Sequence, residues 1–164
     1  MIILPSLEKT SCLLGLSLAL GTACLAAPSA SKDYISQRPP IEKRCFTSPA
    51  VEAKITEVKA AVRDPELAWL FENCFPNTLD TTVTVGERNG KPDTYVITGD
   101  IEAMCLRDSA AQVWPYLPLM KKDPALEKLI TGVVNRQAHC VLIDPYANAF
   151  YKDATKVSHH KDKT

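Results

Sequence analysis

Between Thr98 and Ser109 the chain reads TGDIEAMCLRDS, so Asp100, Glu102, Arg107 and Asp108 place four charged groups within nine residues. Carboxylates accept hydrogen bonds from sugar hydroxyls, and an Arg guanidinium donates through a rigid planar fork. Together these groups suit a polyol ligand. On a helix, Met104 and Asp108 would share a face, and Asp100 and Arg107 would stand two turns apart. A plainer alternative uses the same residues structurally, with Arg107 paired to one carboxylate and Asp108 capping a helix. Spacing alone favours that plainer use.

Trp114-Pro115-Tyr116 and Trp69-Leu70-Phe71 add aromatic faces that can stack on sugar rings, although such rings more often fill cores. Two other polar stretches, Phe75-Pro76-Asn77-Thr78-Leu79-Asp80 and Asp144-Pro145-Tyr146-Ala147-Asn148-Ala149-Phe150, read either as ligand contacts or as turn chemistry. Metal and nucleophile chemistries find less support. His159-His160 with Asp162 lacks a further ligand at metal spacing, and the adjacency of His139 and Cys140 says nothing of their neighbours in space. The chain has no G-x-S-x-G, P-loop or G-x-G-x-x-G.

The elements that must carry these groups follow from patterning. Ser48-Pro49 reads as a helix N-cap followed by Pro at the first helical position. Val51, Ile55, Val58 and Val62 then form one amphipathic stripe. Asp64-Pro65 repeats the start signal for a second stripe, Leu67, Leu70, Phe71 and Cys74, which Phe75-Pro76 should stop. Residues 81–86 (TTVTVG) and 93–98 (DTYVIT) enclose Asn89-Gly90 and predict a small hairpin. A helical stretch is expected from Ile101 towards Trp114, interrupted by Pro115 and Pro118. Asp123-Pro124 opens another, with Leu126, Leu129, Ile130, Val133 and Val134 in its stripe through about Gln137. The expectation is an all-α chain of four helical segments with one hairpin. The stripes fit a closed bundle or helices that face further elements.

Nineteen Lys+Arg balance nineteen Asp+Glu over 164 residues, which supplies no broad attraction for nucleic acid or anionic lipid. At the front, Lys9 precedes an uncharged run from Ser11 to Ala30 with a Leu-rich core, the order of a secretory signal peptide cleaved after Ala26 or Ala27. Residues 1–30 are therefore expected to be a leader, 31–47 an extended lead-in, and 48–164 the folded domain, secreted or periplasmic and without a stable membrane span. A membrane anchor or lipidation at Cys24 are the alternatives. Export leaves Cys45, Cys74, Cys105 and Cys140, which allow three disulfide pairings or four free thiols.

Three longer segments, 72–85 (ENCFPNTLDTTVTV), 93–119 (DTYVITGDIEAMCLRDSAAQVWPYLPL) and 144–150 (DPYANAF), resemble glycoside hydrolase family 125, the metal-independent exo-α-1,6-mannosidases. The resemblance extends over nearly all of residues 38–150. It implies an (α/α)₆ barrel of the six-hairpin glycosidase type and hydrolysis that inverts the anomeric carbon. It implies no metal or organic cofactor. The partner implied is an α-mannosyl oligosaccharide or glycoprotein glycan ending in α-1,6-linked mannose. Asp100, Arg107 and Asp108 map onto the family's polar motif as contacts to the terminal mannose, and Asn148 is a further candidate from DPYANAF. Position 105 departs from the family motif, with Cys where the family has Trp, which removes a large stacking surface. A twelve-helix barrel needs at least roughly 130 helical residues before connections, and removal of the leader leaves about 134 in all. The chain is accordingly expected to be an N-terminal portion with its general acid and base downstream of Thr164, inactive alone. A standalone carbohydrate-binding protein of the same fold is the alternative.

Overall fold

Three of the helices begin as their start signals predict. In a computed structural model that describes residues 33–153 and 155–156, α1 spans Pro49–Ala61, α2 Pro65–Cys74 and α5 Pro124–Ile143, each with Pro in its first turn. Their N-cap side chains occupy backbone amides that a helix leaves without partners. Ser48 accepts from Val51, Asp64 from Glu66 and Leu67, and Asp123 from Ala125 and Leu126. The caps of α1 and α5 also meet: the Ser48 hydroxyl donates to Asp123 Oδ2 at 2.5 Å, with both residues buried. Burial opposes charge on Asp123, yet the Ser48 hydroxyl and the amides it accepts from hold its carboxyl below the usual aspartate range. The expected leader and the His159-His160 tail lie outside the described residues.

Phe75-Pro76 ends α2 but does not end helicity. A five-residue helix, α3 (Asn77–Thr81), follows at once and buries Leu79 and Asp80 where a turn was expected. The hairpin forms around Asn89-Gly90, both at positive φ (51° and 72°), as a tight two-residue turn demands. Its strands are β1 (Val83–Arg88) and β2 (Lys91–Val96), antiparallel with Arg88 opposite Lys91 and Val83 opposite Val96. Pairing runs up to the turn, so both strands sit two residues nearer to it than the composition suggested. The helix expected from Ile101 begins only at Leu106: α4 is Leu106–Val113. Before it, Met104 and Phe150 exchange backbone hydrogen bonds as an isolated antiparallel bridge. Met104 is thus not a helical neighbour of Asp108, and Asp100 does not share a helix with Arg107. Pro115 and Pro118 do not open a gap; they are absorbed in a 3₁₀ segment, Trp114–Lys122.

One core joins these elements. Val51 and Ile55 of α1, Leu79 of α3, Val83 and Tyr95 of the hairpin, Tyr116 of the 3₁₀ segment, and Leu126, Leu129, Ile130 and Val133 of α5 pack together. α5 lies along β2, and Gly132 marks the closest approach. A Cβ added there would overlap Thr94 Oγ1 and come within 2.9 Å of the Thr94 amide nitrogen. Residues 33–47 carry a 3₁₀ turn at Ile41–Lys43 and are tied to the rest of the fold by hydrogen bonds. Arg38, 6% exposed, donates to Asp80 at 2.8 Å and to both Glu52 oxygens at 2.9 and 2.5 Å. The amides of Cys45 and Phe46 donate to the carbonyls of Asp80 and Leu79. Of the second stripe only Phe71 packs against the core, and it does so half-buried. No residue of α2 is fully buried, and Leu67 and Leu70 are 55% and 40% exposed.

Candidate functional site

The Thr98–Ser109 stretch folds around the Thr98 hydroxyl. At the exit of β2 it accepts from the Cys105 amide (3.0 Å) and donates to the Ala103 carbonyl (3.1 Å). The Thr98 amide donates to that same carbonyl. This closes Gly99–Glu102 into a bend with Asp100 exposed on it, and delivers Cys105 to the start of α4. Cys105 is the N-cap residue there, and its side chain gives no capping hydrogen bond. Arg107 and Asp108 follow in the first turn. Arg107 Nε donates to Asp108 Oδ1 at 3.3 Å; the Arg107 side chain is 94% exposed and that of Asp108 45%. Asp108 therefore does not serve as the cap. The pair leaves most of the guanidinium fork and a carboxylate oxygen open to a hydroxylated ligand.

Beside this turn lies an open recess of about 1150 Å³. Its walls come from the hairpin, the second half of α5, and the loops that precede α4 and follow α5. Cys105 and Asn148 both line it, whereas Asp100, Arg107 and Asp108 do not. The four residues singled out from sequence thus fall into three places: Asn148 in the recess, Arg107 with Asp108 on the exposed turn, and Asp100 on the bend. From the Thr98–Ser109 stretch it is Ile101, Glu102, Ala103 and Cys105 that face the recess.

The recess is shaped by residues that no sequence motif marked. Asp93 is gripped from two sides, by Arg88 at 3.0 Å and by Arg136. Two guanidinium groups on one carboxylate leave a local excess of one positive charge. Burial lowers the His139 pKa, and Arg88 and Arg136 lower it further against the opposing Asp93. The Arg136 guanidinium also lies 5.7 Å from the centroid of the buried Tyr95 ring. The Tyr95 hydroxyl reaches the Phe150 carbonyl at 2.9 Å and the Glu102 carbonyl at 3.2 Å, and so joins the two loops. Burial, with Glu102 adding to it, pushes its pKa up to about 12, so it remains a donor at any physiological pH. The one available signal was position: Arg136 interrupts the apolar pattern of a helix whose neighbours pack on a strand.

The aromatic candidates divide. Tyr116 is a core residue that donates to the Phe75 carbonyl, and Trp69 donates to the Ile35 carbonyl at 2.6 Å, so both are structural. Trp114 is 70% exposed and keeps a free face. Cys45, Cys74, Cys105 and Cys140 are all free thiols, which settles the disulfide alternatives in this structure. Among the described residues no three His, Cys, Asp or Glu side chains converge as a metal site, and no helix is long and apolar enough to cross a membrane.

Similarity to known proteins places this mostly helical scaffold among the glycoside hydrolases. The chain belongs to the metal-independent alpha-mannosidase family, GH125, whose sequence profile matches residues 64–164. It is similar to the meiotically up-regulated gene 157 protein of Schizosaccharomyces pombe (strain 972 / ATCC 24843), with 50% identity over 115 residues, 70% of this chain and 23% of that one. It is also similar to a Streptococcus pneumoniae metal-independent α-mannosidase solved in a non-productive substrate complex with α-1,6-mannobiose. That match has a TM-score of 0.62 at 43% identity and covers 71% of this chain and 27% of the other. The chain thus spans about a quarter of the length of these relatives.

Proposed function

We propose that this fold is the mannose-facing part of an exported, inverting α-mannosidase that acts on terminal α-1,6-linked mannose of glycans or mannan. What carries the reading is the likeness, at 43% identity, to a protein solved with α-1,6-mannobiose. The open Arg107–Asp108 pair supports it, as does the adjoining recess with Asn148. In this reading Arg107 donates to the hydroxyls of the terminal mannose, Asp108 and Asp100 accept from them, and Asn148 contributes from the recess. The complete enzyme would be an (α/α)₆ barrel. Inversion needs an acid for the leaving oxygen and a base for water, roughly 6.5–9.5 Å apart so that the water fits between them. None of the four residues is given either role.

Calorimetry of the 164-residue chain with mannose and α-1,6-mannobiose tests the reading. Saturable heat is expected, with affinity at least about tenfold weaker in Arg107→Ala, the loss of a hydrogen bond from a charged donor. No release of mannose is expected. Turnover by this chain that Asp108→Ala abolishes would place the acid here instead, and absence of heat at millimolar sugar would remove the reading.

A further inference from the structure

Helix α4 is the one long helix among those described that starts without a side-chain cap: Ser48, Asp64 and Asp123 cap α1, α2 and α5, while Cys105 offers α4 nothing. An uncapped helix of eight residues should fray at its first turn. That turn carries Arg107, whose side-chain partner among the described residues is its neighbour Asp108. The direction in which the pair faces is therefore set by the backbone beneath it.

A contact from α5 holds this backbone. Gln137 Nε2 donates to the Leu106 carbonyl at 3.0 Å and to Ser109 Oγ at 2.8 Å, and the Ser109 hydroxyl donates to the same carbonyl at 3.0 Å. A carbonyl can only accept, so the amide nitrogen is the end of Gln137 that faces it. Ser109 is wholly buried while Gln137 and Leu106 are half-buried, so this small closed network is partly shielded from water. It brackets Arg107 and Asp108 on both sides in sequence.

We infer that Gln137 is a positioning residue: it ties the first turn of the uncapped α4 to α5 and thereby orients the Arg107–Asp108 pair towards the sugar. The inference rests on the reading of that pair as the mannose contact. Gln137→Leu keeps the size and removes the donor. Gln137→Glu keeps the shape but cannot donate until its carboxyl is protonated.

Both variants of the full chain are to be followed by amide hydrogen exchange over residues 106–112 and by calorimetry with α-1,6-mannobiose. Gln137→Leu is expected to speed exchange in that segment about tenfold and to weaken sugar binding about tenfold at every pH, through the loss of its hydrogen bonds to Leu106 and Ser109. Gln137→Glu should match it at pH 7 and recover protection and affinity as the pH falls through the glutamate range, a profile that mere loss of packing does not produce. Unchanged exchange in Gln137→Leu overturns the inference. Faster exchange with unchanged affinity also overturns it if Arg107→Ala still weakens binding. If Arg107→Ala has no effect either, the mannose reading falls and the positioning role falls with it.

Discussion

At Gly132 two opposing effects meet on one atom. Replacing a mid-helix Gly by Ala ordinarily stabilises a protein by about 1 kcal/mol, because the unfolded chain loses freedom. Here the added methyl would overlap Thr94 Oγ1 and crowd the Thr94 amide, so that strand backbone as well as a side-chain hydroxyl stands in its way. Overpacking typically costs roughly 1–3 kcal/mol. Gly132→Ala should therefore destabilise the fold, against the helix-propensity trend, and chemical denaturation of the two chains will show it as a lower midpoint. Nothing in the residues around Gly132 announces this; a Gly in an apolar stripe reads only as a weak helical position. Asn89-Gly90 is the opposite case, since the need for positive φ is local and the dipeptide states it outright.

Among the elements, those with local instructions formed where expected, and those that depend on distant partners did not. Ser48-Pro49, Asp64-Pro65 and Asp123-Pro124 each supply a cap and a preset φ, so the starts of α1, α2 and α5 needed no tertiary help. The start of α4 did. Between Gly99 and Cys105 the intrinsic helical pattern yields to the Thr98 hydroxyl and to the Met104–Phe150 bridge, contacts made with residues before and long after it. The lead-in is likewise held from outside, by Arg38 on Asp80 and Glu52. Removing one partner of a buried pair strands the other, at a cost of roughly 3–5 kcal/mol. Arg38→Ala should fall near the lower end, because Arg44 remains 3.8 Å from Asp80. The hydrogen bond from Arg38 holds the Glu52 carboxyl below its ordinary range, against a smaller opposing effect of burial. The unfolded chain therefore takes up this proton more readily, so the clamp contributes fully above the usual glutamate pKa and is lost as the pH falls through the lowered one. Stability measured against pH should show this slope, and Glu52→Gln should flatten it.

For the molecule as a whole, the balance between covered and uncovered apolar surface matters most. Val51, Leu79, Leu126, Leu129 and Val133 are nearly inaccessible, while Leu142, Val141 and Ile143 at the end of α5 are 85%, 45% and 50% exposed. A side chain as open as Leu142 contributes little to folding, so Leu142→Lys should leave the unfolding free energy within about 0.5 kcal/mol. Light scattering should show the same substitution reducing self-association, because it breaks up an apolar patch. Capping dipeptides, turn residues and hydrophobic period were enough to define the helical class and the hairpin, and the residues of three motif segments carried the resemblance to the mannosidase family. All of these are local or additive properties of the chain, legible without coordinates. Folding in three dimensions decided which of the marked residues meet. Asn148 joined Cys105 at the recess, Asp100 was left on a solvated bend, and Arg88, Asp93, Tyr95, Arg136 and Gln137 became the groups that shape and hold the site. Those roles arise from side chains 5 to 55 residues apart brought within hydrogen-bond reach, and such distances are set by packing, on which one-dimensional spacing carries no information.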